Sequence, residues 1–294
     1  MDVKLKPGKY VVAVSGGVDS MVLLDVLRRL PDVQLVIAHF EHGIRQDSIK
    51  DKQLVQATAK KYKLPFVCAH GHLGREASEA TARDARYAFL RSTQRLYNAQ
   101  AIITAHHQDD VLETAILNLA RGTGRKGLSS LQSTQQLVRP LLHIPKRDIV
   151  QYAHNHHIAW HEDSTNRDDR YLRNHIRHHI VPRLGQTGRQ RLLQHIQKAH
   201  VTNTELDSIL LAFIPKDMDS EVARLWFTQL PHALAMETMA TWLRRNGVAG
   251  FDKKLINRLV VMAKTASPGK VADIDAKHVL RIGLQKLQLT TRDS

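Results

Sequence analysis

The sequence predicts an α/β protein: a twisted parallel sheet with helices on both faces, then a smaller helical domain ending in a short β-meander. Three observations carry this. Short apolar, β-branched runs alternate with helical patterns through the first half of the 294 residues, the pattern of βαβ units whose sheet is covered on both faces. Near Arg121 the composition shifts to glycine and basic residues. Beyond residues 215–219 the patterns become helical and then short and alternating.

The elements follow in order. Tyr10 to Val14 reads as the first buried strand, and Met21 to Leu30 as a helix before Pro31. Leu35 to Phe40 is a second strand, Lys52 to Tyr62 a polar helix with Leu54, Val55 and Ala59 inward, and Pro65 to Ala69 a third strand. Glu76 to Leu96 is a long Ala- and Arg-rich helix, and Ala101 to Ala105 a fourth strand. Asp109 to Ala120 is a helix with Leu112, Ala115, Ile116 and Leu119 on one face. Lys146 to His157 and Arg189 to Phe213 are helices, with a break expected around Pro182, Gly185 and Gly188. A helix N-capped by Ser220 would pack Val222, Leu225 and Trp226. Helices over Leu234 to Arg245 and Asp252 to Lys264 follow, with Trp226 and Trp242 at core spacing, and then short strands at Val271-Ala272, His278 to Ile282 and Leu287 to Leu289. The domains read as 1–185, a basic helical connector over 186–214, and 215–294.

Composition narrows the function. There are 43 Lys+Arg against 28 Asp+Glu, a formal charge of +15, which suits a polyanionic partner such as nucleic acid. The stretch from Arg167 to His200 holds eight Lys/Arg, two acids and five histidines. Aromatic residues are only 5%, which argues against a stacking platform for single strands. No apolar run is long enough for a membrane span. Met1 to Tyr10 lacks an apolar signal core, and the single cysteine, Cys68, excludes an intrachain disulfide, a CxxC pair and a cysteine-built zinc site. A cytoplasmic location is the expectation.

Two motifs carry chemistry. Ser15-Gly16-Gly17-Val18-Asp19-Ser20 lies between a strand and a helix. Two glycines let the backbone approach a phosphate, both serines offer hydroxyls, and the helix N-terminus faces the anion. The loop is neither a Walker A loop nor GxGxxG. His106-His107-Gln108-Asp109-Asp110-Val111-Leu112-Glu113-Thr114 follows the fourth strand. Asp110 and Glu113 stand at i, i+3 and share a helix face. They could serve the helix dipole alone, or hold Mg²⁺ and an amine. Zinc at His106, His107 and Asp110 is a weaker alternative, because adjacent histidines suit zinc poorly.

SGGxDS in this setting resembles the PP-loop of the N-type ATP pyrophosphatases. Further stretches narrow the resemblance: His39 to Arg45, Ala82 to Tyr87, Leu119 to Leu128, Arg139 to Leu142, Trp160 to Asn166, and Arg173 to His178 followed by Pro182. In this order they resemble the tRNA(Ile)-lysidine synthetase family over Val11 to about Leu184, and more weakly beyond.

The resemblance implies a Rossmann-like PP-loop ATPase sheet whose topological switch point brings the two motifs together. It implies adenylation of the carbon-2 oxygen of the wobble cytidine in the CAU anticodon of tRNA(Ile), with release of pyrophosphate. The ε-amine of L-lysine then displaces AMP and leaves lysidine. Ser15, Gly16, Gly17, Val18, Asp19 and Ser20 would bind ATP, with Asp19 and Asp110 on Mg²⁺. Asp110, Glu113, Arg86, Arg173 and Arg177 would be catalytic. Arg86 has no acidic residue at i±3 or i±4, whereas Arg83 has Glu79 at i−4 and reads equally as a salt bridge. Arg121, Arg125, Lys126 and Lys198 would contact RNA. For the 121–127 loop, anion contact and simple flexibility both stand open, as does a merely structural role for His106 and His107. The oligomeric state is open, a homodimer included.

There are departures from the family pattern. Val111 stands where Gln is common, Glu41 where Asp or Asn is usual, and His179 where Glu is frequent. The chain is also shorter than relatives that carry a further C-terminal domain, so tRNA discrimination would rest on fewer modules. A tRNA thiolase is the nearest rival, but such enzymes need paired cysteines or an iron–sulfur cluster. An amidotransferase-like nucleotide synthetase would need an ammonia source, and no glutaminase nucleophile pattern is present. A non-catalytic RNA-binding protein would explain the charge but neither motif.

Overall fold

The structure, a computed structural model, describes residues 1–41, 48–71, 79–123, 125–162, 172–214, 220–248 and 250–292. Parts of the motif stretches, residues 42–45, 124 and 163–166, the basic residues of 167–170 and the boundary at 215–219 lie outside the described residues. Contacts divide the chain into two compact units: residues 1–121 with 128–195, and 122–127 with 196–294.

The first unit is built on strands β1 (Gly8–Ala13), β2 (Val33–Glu41), β3 (Phe66–His70), β4 (Ala101–Ile103) and β5 (Leu137–Val138). They form one sheet in the order β3-β2-β1-β4-β5, every pair parallel. Strand alternation sorts the core onto two faces. Val12, Ile37 and Ile103 stand side by side on one face and pack with α1 (Val18–Leu27), α2 (Ser48–Tyr62) and α5 (Lys146–Asn155). Val11, Val36 and Ile102, one residue out of phase, pack on Tyr87 and Leu90 of α3 (Glu79–Leu96). Burial on both faces is why these strands read as continuous apolar runs. The order reverses between β1 and β4, so the chain ends leaving those strands diverge and open a crevice at their carboxyl ends.

Helix α1 is apolar nearly all round because it is covered by both the sheet and α5. One charge, Asp25, is buried in it at 2% exposure. Arg28 donates from Nε and Nη2 to Oδ1, Arg29 from Nε and Nη2 to Oδ2, and the hydroxyls of Tyr62 (α2) and Tyr152 (α5) add 3.3 and 3.0 Å contacts. Burial pushes the carboxyl up, but these donors together hold it below the usual carboxylate range. One acid thereby ties three helices together.

Several local expectations need correction. Strand β5 lies in a stretch whose pattern suggests only a lead-in to α5. Helix α4 (Gln108–Ala120) buries Leu112 and Ala115, but Leu119 is 54% exposed. Residues 172–213 contain a short helix α6 (Leu172–His175), a π turn (Ile176–Ile180), a 3₁₀ turn (Pro182–Leu184) and the 29-residue helix α7 (Gly185–Phe213). The break falls at Gly185, which takes φ +60°, and the helix runs through Gly188 without interruption. The division between the two units falls inside α7, at 195/196.

In the second unit, Ser220 caps no helix. Residues Glu221–Ala223 form strand β6, with Val222 opposite Leu287, and the helix α8 (Arg224–Gln229) begins only after it. Leu225 is accordingly 72% exposed. Strands β7 (Lys270–Asp273), β8 (His278–Ile282) and β9 (Lys286–Thr291) form the expected meander, and β6 extends it to an antiparallel sheet ordered β6-β9-β8-β7. Helix α9 (His232–Arg245) ends at Asn246-Gly247, and α10 (Lys253–Thr265) starts at Asp252, whose Oδ1 accepts the Leu255 amide at 2.8 Å. Trp242 is fully buried among Phe227, Leu243, Leu259, Val260, Leu280 and Leu287, and Trp226 packs on the margin of that core.

Candidate active site

The loop after β1 folds on its own polar groups. The Ser20 hydroxyl donates to the Gly17 carbonyl (2.9 Å), accepts the Ser15 amide (3.1 Å) and lies 3.1 Å from the Ser15 hydroxyl. Gly16 takes φ +95°, and a Cβ there would stand 3.2 Å from the Asp51 Cβ. A glycine is therefore required twice over, by backbone conformation and by space. Gly17 is the N-cap of α1 and has no side chain to cap it, so the first amides of α1 face the crevice.

The loop is braced from behind by His39 and His161, which open or lie within two of the stretches that carry the resemblance. The His39 ring donates from Nδ1 to the Val14 carbonyl at 2.8 Å. Burial keeps this imidazole neutral by pushing its pKa down. The His161 amide donates to the Gly16 carbonyl (3.1 Å), and its ring lies 2.8 Å from Asp51.

Across the switch point, α4 presents the second motif. Asp110 and Glu113 are 8% and 1% exposed. The Asp110 Oδ2 accepts the His107 amide at 2.9 Å, the N-terminal capping use of a carboxylate. That leaves Oδ1 and the whole of Glu113 for cations. Arg173 donates from Nε to Glu113 (3.1 Å) and from Nη2 to Asp110 (3.3 Å). Arg177 donates from Nε and Nη2 to the two oxygens of Glu113, at 2.6 and 2.9 Å. The i, i+4 spacing survives the passage from α6 into the π turn, so both guanidiniums stay on one side. Burial pulls the Arg177 guanidinium down, but its bond to Glu113 more than compensates. Burial likewise pushes Asp110 up, and His107, both as a neighbour and through its amide hydrogen bond, together with the Arg173 guanidinium, outweighs it and holds the carboxyl below its usual range.

The two motifs meet at His107. Its Nε2 lies 3.7 Å from Asp19 of the loop and 3.5 Å from Asp110 of α4. Lys146, the first residue of α5, puts its ammonium 2.6 and 2.7 Å from the two Asp19 oxygens. Its amide donates to Asp109, whose other oxygen takes Arg189. Lys146 escapes sequence reasoning because a lysine at a helix start has no motif around it, and its meaning comes only from a contact 127 positions away. His106 lies 2.8 Å from the Thr104 hydroxyl. Burial, with Arg139, Arg86 and Arg173 nearby, pushes its pKa down to about 3 against the pull of Asp110. It is therefore a neutral imidazole near pH 7.

Arg86 lies on α3 with its guanidinium 5.5 Å from the Tyr87 ring centre, and Arg83 stands over the same ring at 4.8 Å. The Glu79 side chain is outside the described residues. Arg121 and Lys198 are exposed. Arg125 and Lys126 have internal partners instead: Arg125 pairs with Asp207 (2.7 Å) and Glu237 (2.8 Å), and Lys126 pairs with Asp207. Among the described residues no group of three or more His, Cys, Asp or Glu could hold a metal ion, which leaves the zinc alternative without a ligand set, and no helix is long and apolar enough to cross a membrane.

Residues 2–184 match the PP-loop domain family. A tRNA(Ile)-lysidine synthase of Lactobacillus johnsonii is 38% identical over 62% of this chain and 45% of its own length. One from Thermotoga maritima is 36% identical over 60% of this chain and 46% of its own. The chain thus spans about half the length of these relatives. One from Francisella tularensis is 30% identical over 97% of this chain and 74% of its own length. Among solved structures, the U34-tRNA thiolase NcsA of Methanococcus maripaludis has the same fold, with a TM-score of 0.52, 15% identity, and coverage of 66% of this chain and 73% of that one. The chain belongs to the PP-loop domain family and, by the match along nearly its whole length, to the tRNA(Ile)-lysidine synthases.

Proposed function

We propose that this protein uses ATP to adenylate the carbon-2 oxygen of the wobble cytidine in a CAU-anticodon tRNA(Ile), and then joins L-lysine at that carbon to give lysidine, AMP and pyrophosphate. The observation that carries the reading is the meeting of a phosphate-type loop with a buried, arginine-clamped carboxylate pair at His107. A cytosine oxygen leaves poorly until it is esterified to phosphate. The reaction therefore needs a site that gathers negative charge and an amine at one place. In this reading the amides and hydroxyls of residues 15–20 receive the phosphates. Arg173 and Arg177, with Arg86 nearby, neutralise charge on the transferring group. Asp110 and Glu113 hold the lysine ammonium and accept its proton.

Two hard carboxylates that approach one nitrogen suit Mg²⁺, which prefers one or two carboxylates plus phosphate oxygens. Asp19 and Asp110 would hold it, and it would supply charge neutralisation at the leaving pyrophosphate. Lys146 shares Asp19 and would have to yield an oxygen to the ion. Residues 1–185 would do the chemistry, 186–214 link, and 215–294 contact the tRNA. Arg121 and Lys198 suit RNA contact by their exposure. The charges of Arg125 and Lys126 are engaged with carboxylates. Sulfur transfer fits poorly, because Cys68 is the sequence's only cysteine and burial raises its thiol pKa.

The test is incorporation of labelled lysine into a tRNA(Ile) CAU transcript with ATP and Mg²⁺. Incorporation dependent on all three is expected. No incorporation while the transcript is bound overturns the reading.

A further inference from the structure

The second unit contains a cavity of about 200 Å³ lined by Lys126, Asp207, Leu211, Thr241, Arg244 and Arg245. Three of the six are cations. With Arg125 and Glu237 beside them, four cations face two carboxylates, and those carboxylates are engaged by Arg125 and Lys126. Arg244 is different. Its guanidinium lies over the Phe251 ring at 5.1 Å and hydrogen-bonds no described residue. Burial lowers its pKa although Asp207 and Glu237 pull the other way. A cation in the last turn of α9 is favoured by the helix dipole. The dipole does not account for stacking a guanidinium on an aromatic ring with its donors unmet. A second group in the same cavity is also unsatisfied: the Thr241 hydroxyl is buried and has no hydrogen-bond partner among the described residues.

Unmet donors at a partly dehydrated site ask for an acceptor. A guanidinium fork, a hydroxyl and surplus positive charge match the oxygens of a phosphate. The apolar Leu211 wall suits a sugar more than a second charge. We propose that this cavity seats one backbone phosphodiester of the RNA partner, with Arg244 as its principal contact and Thr241 as an accessory donor. The proposal rests on the reading above only for the identity of that partner.

The test compares the full-length chain with Arg244→Gln, Arg244→Lys and Thr241→Val, measuring the Kd for the tRNA(Ile) CAU transcript across a KCl series. Circular dichroism and thermal melting establish that each variant is folded. Arg244→Gln should weaken binding about five- to tenfold at about 0.15 M salt and lower the slope of log K against log salt by about one. Arg244→Lys should keep the slope and lose about threefold, since the charge stays and the fork goes. Thr241→Val should cost about two- to threefold. Wild-type affinity and slope in folded Arg244→Gln would overturn the proposal. So would inorganic phosphate that binds through Arg244, by calorimetry, while RNA affinity stays unchanged, because the site would then serve a small free anion. A wild-type chain that fails to bind the transcript sinks both this proposal and the reading it rests on. A wild-type chain that binds without incorporating lysine, and whose Arg244→Gln variant still loses affinity, sinks the reading alone.

Discussion

Lys146 holds both carboxylate oxygens of Asp19, at 2.6 and 2.7 Å, so the one acid of the phosphate-type loop is neutralised by a residue from α5. An uncompensated carboxylate beside a triphosphate would repel it. Replacing Lys146 by Met should raise the KM for ATP about tenfold, roughly 1.4 kcal/mol, while the KM for lysine stays put. Lys146→Arg should recover most of the loss. Steady-state kinetics with each substrate varied in turn checks this.

The Glu113 carboxylate is 1% exposed and takes three arginine N–H groups. Removing one partner of such a cluster leaves charge buried without compensation, at about 3–5 kcal/mol. Arg177 is one-third exposed and Arg173 stays on Glu113, so Arg177→Met should cost less than that, about 2–3 kcal/mol, and also abolish lysine transfer. Urea unfolding and product formation read the two effects separately. Asp110→Asn should abolish turnover and leave tRNA binding near wild type by filter binding.

Gly16→Ala should lose ATP binding. The φ of +95° and the 3.2 Å approach to Asp51 both oppose a Cβ, at roughly 1–2 kcal/mol for the backbone alone. Gly17→Ala should be milder, because Gly17 has φ −75° and its nearest contact would be the Ser15 hydroxyl at 3.5 Å. Calorimetric titration of ATP into both variants distinguishes them.

His106 is held neutral with its pKa pushed down to about 3. Unfolding releases it to an ordinary value near about 6.5, so the unfolded chain binds a proton that the folded one refuses. Its contribution to stability is therefore undiminished above that unfolded value and is lost progressively as pH falls toward 3. His106→Asn, which can keep a hydrogen bond to Thr104 without titrating, should flatten the fall in urea midpoint over that window.

Asp25 should act in the same direction through a different charge. Its carboxyl is held low by Arg28, Arg29 and two tyrosines. The stability it gives is present above the unfolded carboxyl pKa of about 3.9 and lost as pH falls below it. Asp25→Asn should destabilise by about 2–3 kcal/mol at neutral pH, discounted for partly exposed arginine partners, with no direct effect on ATP affinity. A urea series at pH 7 and at about pH 2.5, below the unfolded carboxyl value, checks the sign.

Sequence alone determined the repeating strand–helix order, both motifs and the family, because each rests on residues close together in the chain. Val11 and Val12 alternate between the two sheet faces by the period of a strand. Asp110 and Glu113 share a helix face by the period of a helix, and SGGxDS needs only its own six positions. Local geometry follows from local spacing. It failed where a partner far along the chain overrode a local pattern. Residues 221–223 have the pattern of a helix start, but β9 supplies them with the hydrogen bonds of a strand. That Asp207 and Glu237 stand beside Arg125 and Lys126 likewise has no signature in the sequence around those cations. Only the tertiary structure decided which charges are paired. Lys146 on Asp19, Arg177 on Glu113 and the unmatched Arg244 over Phe251 are set by through-space distance, and electrostatic energy depends on that distance and on burial, neither of which has a period in the sequence.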